Sequence, residues 1–305
     1  MTYRKEAIIS KKYEEFLTTL PHQTYAEDFK ETDLKDLFHE ILEKGIHGLG
    51  FSLYEEYQKP GDSITEDQVR RRMKIIQPYI KAIRSFSCIE GNEFIPKVAK
   101  EYGLETLVGA WIGDDSKKNR QEIDALIKLA NEGLVDIAAV GNEVLYRDDI
   151  PKEELLQLMD EVRAAVPNEV PVTYVDAYYE FSVHPDLTEK CDVILVNCYP
   201  FWESCHIDYS LQHMQQMYGQ ALSAAKGKKV IISETGWPSK GESLGAAEPS
   251  DENFLKYFIN TQMWCRQAGI ECYYFASFDE AWKTGDEGDV GAYWGLWDKN
   301  GKLKF

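Results

Sequence analysis

Short runs of apolar residues alternate along this chain with longer segments in which apolar residues recur at helical spacing. The short runs are rich in valine, isoleucine, tyrosine and phenylalanine and are apolar at nearly every position. That pattern is typical of strands that are covered on both faces, as in a parallel sheet. It predicts eight strands, at residues 46–54, 80–88, 106–112, 135–140, 172–178, 193–199, 229–233 and 272–278.

The segments between these strands carry helix signals. Thr65 with Gln68 fits a capping box, and Ser250 fits the N-cap of a later helix. Residues 181–190 are too short for a full helix and contain Pro185, so they predict an irregular crossover. Helices are predicted within residues 65–76, 123–133, 151–162, 211–225 and 250–269.

Eight alternating strand–helix units over this length predict a (β/α)8 TIM barrel that spans residues 46–305. Residues 1–45 precede the first strand and predict a helical extension, packed on the base or the outer wall of the barrel. Gly45 fits the glycine that commonly ends a helix. The apolar residues at helical spacing before it are Leu34, Leu37, Phe38, Ile41 and Leu42.

Composition and charge narrow the classes of partner. The 305 residues are 44% hydrophobic, enough for a large core, and 52 acidic against 34 basic residues give a net charge of −18. That charge disfavours nucleic acid and anionic membrane surfaces as partners, whereas a neutral sugar approaches without penalty. The chain contains no run of about 18 apolar residues, so no membrane-spanning helix is predicted. The N-terminus lacks the apolar core of a signal peptide, which predicts a cytoplasmic protein, or an extracytoplasmic one whose signal peptide was removed.

The residue types that carry chemistry also exclude some kinds of site. The six cysteines show no zinc-binding spacing and sit mostly in apolar runs, so buried free thiols are predicted. No histidine falls at a predicted strand end, and no glycine-rich loop or basic cluster indicates a phosphate site. The sequence therefore predicts no metal and no cofactor, and we expect a monomer.

Two of the predicted strands are closely followed by a glutamate: Glu143 comes three residues after the fourth strand, and Glu234 comes directly after the seventh. Strands four and seven face each other across a barrel, and catalytic residues of such barrels lie at the carboxyl ends of strands. Two carboxyl groups in one site are the usual machinery of glycoside hydrolysis. Asn142, beside Glu143, is placed to hydrogen-bond a sugar hydroxyl. Either glutamate alone has the simpler interpretation of a salt-bridged strand end, but the pair favours a sugar-cleaving site.

Residues 140–143 (Val-Gly-Asn-Glu) and 233–239 (Ser-Glu-Thr-Gly-Trp-Pro-Ser) resemble the two signatures of glycoside hydrolase family 17, the β-1,3-glucanases. The likeness covers most of the chain from about residue 46, and further segments share it: 197–201, 278–283 and 295–298. The resemblance implies a retaining mechanism, with Glu143 as the acid/base and Glu234 as the nucleophile. In retaining enzymes the two carboxyl groups stand about 5–5.5 Å apart.

The resemblance and the strand-end positions together indicate a set of substrate-binding candidates. Glu280 and Lys283 match an auxiliary charged pair of the family, but a structural ion pair is the alternative. Tyr199 is alternatively a core tyrosine, and Trp237 is either a platform for a sugar ring or packing within the wall. The candidates are Tyr54, Asn142, Asp176, Tyr199, Phe201, Trp237, Glu280 and Lys283.

The implied activity is hydrolysis of β-1,3-linked glucan such as laminarin or its oligosaccharides, with endo action favoured over exo action. A β-1,3-glucanosyltransferase would use the same site and the same covalent intermediate, so the motifs do not separate these two activities. A non-catalytic glucan-binding barrel, and a barrel glycosidase that acts on β-1,4 or mixed linkages, are the remaining alternatives.

Overall fold

A closed ring of parallel strands forms the centre of the molecule. The computed structural model describes residues 18–19, 24–26, 30–285 and 287–305. In these residues eight strands pair in sequence order, and β8 pairs back with β1, so the predicted TIM barrel is confirmed. The strands are β1 (Ile46–Gly50), β2 (Ile80–Ser85), β3 (Glu105–Ala110), β4 (Ile137–Asn142), β5 (Val172–Ala177), β6 (Ile194–Asn197), β7 (Val230–Thr235) and β8 (Cys272–Tyr274).

Helices surround the strands and connect them. The described α-helices are α1 (Glu31–Glu43), α2 (Glu66–Ile76), α3 (Phe94–Glu101), α4 (Ser116–Asn131), α5 (Val144–Arg147), α6 (Lys152–Ala165), α7 (Glu180–Val183), α8 (Pro185–Lys190), α9 (Ser210–Ala224) and α10 (Asp251–Ala268). Short 3-10 helices lie at Gln77–Tyr79, Phe201–Glu203, Ile207–Tyr209, Ala281–Thr284 and Asp289–Ala292.

The inside of the barrel is a packed core. Strands β2 to β8 each contribute a buried residue to one cluster there: Ala82, Leu107, Ala139, Val175, Leu195, Ile231 and Tyr273. Strand β1 contributes Gly48, where a Cβ atom would lie only 2.6 Å from Cδ1 of Tyr273, so a glycine makes room for the large ring. Because the interior is filled, a ligand has access only to the ends of the strands.

Helix α1 precedes β1 but packs where a helix after β8 would lie. The ring of Phe38 lies 4.9 Å from that of Phe258 on α10, and 5.6 Å from that of Phe305. Just before α1, the backbone N–H of Tyr25 donates to Oδ1 of Asn260, also on α10, at 2.8 Å. The described N-terminal segment therefore covers the outer wall of the barrel.

Within the segment predicted as a helical extension, the described residues form one helix, Glu31–Glu43. Residues 24–26 are not helical, and the rest of the predicted helical segment before α1 lies outside the described residues, except for a turn at 18–19. Gly45 adopts the left-handed conformation, with φ of 78°, directly after the C-cap of α1. The division of the chain into residues 1–45 and 46–305 stays a prediction.

Several element boundaries differ from those predicted. Strand β1 ends at Gly50 and β8 at Tyr274, each four residues before its predicted end, because the chain leaves regular pairing there to form the loops above the barrel. The peptide bond between Phe275 and Ala276, just after β8, is cis. Helix α3 was not predicted, since it is short and contains Pro96 in its first turns.

The predicted helix ends are mostly confirmed. Thr65 caps α2 by accepting the backbone N–H of Gln68, but the Gln68 amide donates to the carbonyl oxygen of Leu53 and does not complete a capping box. Ser250 caps α10 as predicted. The irregular crossover over 181–190 consists of the end of α7 and the short α8, with Pro185 as the first residue of α8.

Candidate active site

A cavity of about 440 Å³ opens at the carboxyl ends of the strands. Both predicted catalytic residues, Glu143 and Glu234, line it. Five of the predicted substrate-binding residues line it as well: Tyr54, Asn142, Tyr199, Glu280 and Lys283. Aromatic side chains complete much of the wall: Phe51, Phe86, Trp111, Trp202, Phe275, Trp282 and Trp294. Flat apolar surfaces beside carboxylates and amides suit a sugar, which has both apolar ring faces and hydroxyl groups.

The backbone at the end of β4 is what presents Glu143. This residue has φ of 53°, in the left-handed region that non-glycine residues seldom adopt. Its N–H donates to the carbonyl oxygen of Val175 at 2.8 Å, and the pairing of β4 with β5 shifts register between Ala139 and Asn142. Strained conformations of this kind concentrate at functional sites, where they fix the direction of a side chain.

Asn197, at the end of β6, lies between the two glutamates. Its Nδ2 donates to Oε1 of Glu143 at 2.9 Å and to Oε1 of Glu234 at 3.1 Å. These two hydrogen bonds bring the carboxylate oxygens within about 6 Å of each other, the sum of the two distances. The Ser233 hydroxyl donates to Oδ1 of Asn197 at 2.8 Å and so fixes which end of the amide faces the carboxylates.

Glu234 is surrounded by hydrogen-bond donors. Nη1 of Arg84 lies 2.8 Å from Oε1, and the hydroxyl of Tyr199 donates to Oε2 at 2.8 Å. The guanidinium of Arg84 also donates to the carbonyl oxygen of Ser233 at 2.7 Å and to Oδ1 of Asn142 at 2.8 Å. Only 2% of the Arg84 side chain and 9% of the Glu234 side chain are exposed, so this ion pair is little screened by water. The arrangement stabilises negative charge on Glu234.

Glu143 has a different environment from Glu234. It is half-buried, and among the described residues it forms no ion pair with Lys, Arg or His. One glutamate is thus held by a buried cation, whereas the other is reached by solvent. Two carboxyl groups in contrasting environments can take different roles in one reaction.

Glu280 and Lys283 form an ion pair on the wall above β8. Their charged atoms lie 3.0 Å apart, and Nε1 of Trp282 donates to the other oxygen of Glu280 at 3.1 Å. Burial alone would lower the pKa of Lys283, but the carboxylates of Glu280, Glu287 and Glu234 together raise it above its usual value. The pair lines the cavity and is also well packed, so the geometry accommodates both interpretations made from the sequence.

Tyr54 and Trp282 bring two loops together at the side of the cavity. Their rings meet edge to face with centroids 5.7 Å apart. Burial is the main cause that raises the pKa of Tyr54 to about 12. The tyrosine therefore stays neutral at physiological pH and can offer both a ring and a hydroxyl group to a ligand.

Three predicted substrate-binding residues do not line the cavity. Trp237 is fully buried, donates from Nε1 to the carbonyl oxygen of Glu248 at 3.0 Å and packs on Phe201, with ring centroids 5.2 Å apart. This placement corresponds to wall packing and not to a sugar platform, because the indole is fully buried and does not line the cavity. Phe201 is likewise fully buried behind the wall.

Asp176 lies behind Glu143, below the cavity surface. It is fully buried and accepts hydrogen bonds from the Tyr174 hydroxyl and from the backbone N–H of Ala177. Burial, and then the nearby Glu143 carboxylate, raise the pKa of Asp176 well above its usual value. From this buried position near the end of β5, Asp176 can influence the charge of Glu143 but does not touch a ligand in the cavity.

Other residues of the site had no assigned role in the sequence analysis. Arg84 and Asn197 lie within the predicted strands 80–88 and 193–199, and a charged or amide residue within a buried apolar run must find a partner inside the protein. That signal marks both residues as candidates for the site, but it does not identify the partner of either one. Glu122 on α4 also lines the cavity and accepts hydrogen bonds from the Ser87 hydroxyl and the Cys88 backbone N–H. Burial raises the pKa of Glu122 to about 7.

All six cysteines are buried free thiols, as predicted. Among the described residues, no group of three or more His, Cys, Asp or Glu side chains has the arrangement of a metal site. Over the same part of the chain, none of the helices has the length and apolar character that crossing a membrane requires.

Known proteins with similar sequences are glucan-degrading enzymes by name. Glucan 1,3-beta-glucosidase of Schizosaccharomyces pombe is 27% identical over 252 residues, which cover 76% of this chain and 78% of that protein. The Aspergillus fumigatus protein named "Probable glucan endo-1,3-beta-glucosidase btgC" is 30% identical over 234 residues, which cover 66% of this chain and 33% of that longer protein.

A solved structure has the same fold. It is a glycoside hydrolase family 17 beta-1,3-glucanosyltransferase from Rhizomucor miehei, with a TM-score of 0.77 and 28% identity, and the match covers 86% of this chain and 96% of that one. The sequence model of the BtgE/BtgC glycoside hydrolase domain matches residues 48–295, which include every strand of the barrel except the start of β1. The chain therefore belongs to the BtgE/BtgC glycoside hydrolase family, and its resemblance to glycoside hydrolase family 17 is confirmed.

Proposed function

We propose that this protein is a retaining glycoside hydrolase that cleaves β-1,3-glucosidic bonds in laminarin-type β-glucan or its oligosaccharides. Glu234 is the nucleophile and Glu143 is the acid/base. The observation that carries the proposal is the shared donor, because Nδ2 of Asn197 holds one oxygen of each carboxylate within 3.1 Å.

The short separation of the two carboxylates supports a retaining mechanism. In inverting enzymes the two groups stand about 6.5–9.5 Å apart to leave room for a water molecule, whereas retaining enzymes need about 5–5.5 Å. The upper limit of about 6 Å between the Oε1 atoms of Glu143 and Glu234 lies below the inverting range and so favours the retaining mechanism.

The first step forms a covalent intermediate. A Glu234 oxygen attacks the anomeric carbon and forms a C–O bond, while the bond from that carbon to the glycosidic oxygen breaks. The proton of Glu143 goes to the departing oxygen, which leaves as the hydroxyl of the shortened chain. Arg84 and Tyr199 hold the attacking carboxylate in place by hydrogen bonds to separate oxygens.

The second step releases the sugar. Glu143, now ionised, takes a proton from a water molecule while the water oxygen bonds to the anomeric carbon. The bond from that carbon to Glu234 breaks at the same time. The half-exposed position of Glu143 supports this role, because the residue that activates water has to be reached by water. Two inversions at the anomeric carbon give a product with the β configuration of the substrate.

The substrate class follows from the relatives. Both curated relatives carry names that specify glucan 1,3-β bonds, and the sequence motifs imply the same linkage. A second candidate activity is transfer of the glucosyl chain to another sugar, because the family 17 structure from Rhizomucor miehei is a β-1,3-glucanosyltransferase. The second step is then the same, with a sugar hydroxyl in the place of water.

Product analysis tests the proposal. NMR of fresh products from laminarin should show β-anomers, and products longer than the donor at high oligosaccharide concentration would identify transfer. With dinitrophenyl β-laminaritrioside and azide, Glu234→Ala should give an α-glycosyl azide and Glu143→Ala a β-glycosyl azide. The exposed Glu153→Ala on α6 is the matched control and should behave as wild type. Initial α-products, or near wild-type laminarin turnover in either active-site variant, would overturn the assignment.

A further inference from the structure

The loop between β1 and α2 carries an aromatic side chain that faces solvent. Tyr57 is 95% exposed, the most exposed of the large hydrophobic side chains in the described residues. This loop follows β1, so it lies on the same face of the barrel as the cavity. Tyr54, three residues before Tyr57, and Pro60, three residues after it, both line the cavity. We call residues 55–62 the rim loop.

Tyr57 is held in an unusual backbone conformation. Its φ of 71° lies in the left-handed region, where a bulky residue is a genuine outlier. Such conformations cluster at ligand contacts, where the surrounding structure maintains them. Nothing in the loop requires a tyrosine for packing, because the side chain is almost wholly exposed.

The rim loop itself is firmly attached. Nη2 of Arg71 donates to Oε1 of Glu55 at 2.7 Å, and Oε1 of Gln58 accepts the backbone N–H of Glu55 at 2.8 Å. Oε1 of Gln58 also accepts a hydrogen bond from Nε2 of Gln68 on α2, at 2.7 Å. The exposed ring therefore stands on an ordered base, which lowers the entropy lost when it binds a ligand.

Tyr57 lies within reach of a chain that leaves the cavity. It is three residues from Tyr54 and three from Pro60, and a chain spans at most roughly 3.5 Å per residue. Its Cα is therefore within about 10–11 Å of the Cα of each of these cavity-lining residues. Within the cavity, the rings of Tyr54 and Trp282 already form part of an aromatic wall, and Tyr54 directly precedes the rim loop.

We propose that Tyr57 is a stacking platform for glucosyl units of a β-glucan chain that extend beyond the cavity. The proposal rests on the proposed function, since it takes the bound chain to be the substrate cleaved at Glu143 and Glu234. The apolar face of a pyranose ring lies on the phenol ring, as sugars do on exposed aromatic side chains. Long chains contact this platform, whereas short oligosaccharides that fit within the cavity contact it little.

Kinetics on substrates of two lengths test the platform. In Tyr57→Ala, the ratio of kcat/KM on laminarin to kcat/KM on laminaritriose should fall by about threefold to tenfold, the range expected for one exposed aromatic contact. Tyr57→Phe keeps the ring and should keep the ratio. Tyr102→Ala is the matched control, because this 40% exposed tyrosine follows α3 at the opposite end of the barrel.

The outcomes separate this inference from the proposed function. Wild-type protein that cleaves neither substrate would contradict the proposed function itself. If wild type cleaves both and Tyr57→Ala keeps the wild-type ratio, only the platform is wrong. Sedimentation of wild type and Tyr57→Ala tests the other occupant, since self-association lost on substitution would assign the ring to contact with a second copy. A thermal melt of each variant checks that all of them are folded.

Discussion

The guanidinium of Arg84 lies directly against the carboxylate of Glu234, with Nη1 2.8 Å from Oε1. Arg84 comes from β2 and Glu234 from β7, so the contact crosses the interior of the barrel just below the cavity. It joins a residue with no predicted role to the predicted nucleophile.

Replacement of Arg84 should therefore reduce both activity and stability. Arg84→Met leaves Glu234 buried without its cation, which costs about 3–5 kcal/mol in the free energy of unfolding for a broken buried pair. We expect kcat/KM on laminarin to fall by roughly hundredfold or more, because the attacking carboxylate loses its fixed position. Arg84→Lys should recover part of both quantities. Urea unfolding and steady-state kinetics measure the two effects.

Arg120→Met supplies the matched control for this change. Arg120 lies on α4 in an exposed ion pair with Glu161, and such pairs contribute about 0–1 kcal/mol. Equal losses in the two variants would show that Arg84 has no special relation to Glu234.

The ion pair of Glu280 and Lys283 should behave as one unit. Either Glu280→Gln or Lys283→Met breaks it, and each should lower kcat/KM by roughly tenfold to hundredfold, the range for a hydrogen bond to a charged group. The double variant should be no worse than the poorer single variant, because the second change removes an interaction that is already lost. A double-mutant cycle on laminarin measures this coupling. Losses that multiply would instead mean that the two residues contact substrate independently.

Glu122 should make stability depend on pH. Its side chain is buried, and burial raises its pKa to about 7 from its usual value of about 4.5. Between these values the folded protein keeps a proton on Glu122 that the unfolded chain has released, so the free energy of unfolding falls as the pH rises. The full effect is about 3 kcal/mol.

The Glu122→Gln variant should lack this part of the pH dependence. Its free energy of unfolding should fall less than that of wild type between pH 4.5 and 7, and urea titrations at several pH values measure the difference. Glu132→Gln, at the exposed end of α4, is the control. A slope equal to that of wild type in Glu122→Gln would mean that Glu122 ionises normally.

Trp237 should contribute to stability more than to binding. Trp237→Phe removes the hydrogen bond to Glu248 and part of the packing against Phe201, so we expect a loss of about 1–3 kcal/mol in the free energy of unfolding. The KM for laminarin should change little. Trp282→Phe, at a 37% exposed residue of the cavity wall, should show the opposite pattern. A raised KM with unchanged stability in Trp237→Phe would restore the sugar-platform interpretation.

The barrel was predictable because its strands are marked by composition. Residues buried on both faces have to be apolar at nearly every position, and helices between them have to be apolar on one side only. The placement of Glu143 and Glu234 in one cavity followed from the fold, since strands four and seven end at the same face. Helix α3 escaped prediction because its eight residues are too few for a clear period and include Pro96.

Side-chain direction is what the sequence did not reveal. Trp237 stands three residues after Glu234, yet its indole is buried in the wall, where it packs on Phe201 and donates to the carbonyl oxygen of Glu248. Arg84 stands in β2, and only closure of the barrel brings it against β7. The roles of the individual site residues, the monomeric state and the compartment stay predictions.

The position of Phe38 implies that the helix beside β8 can precede β1 in the chain, because a closed ring has no first or last element. Its ring touches Phe258 before β8 and Phe305 after it, so the helix that closes the circle is supplied from in front of β1. A circularly permuted gene that begins at β1 and joins Phe305 to α1 by a short linker would encode the same circle of helices. The loops that carry Glu143 and Glu234 would be untouched by such a rearrangement.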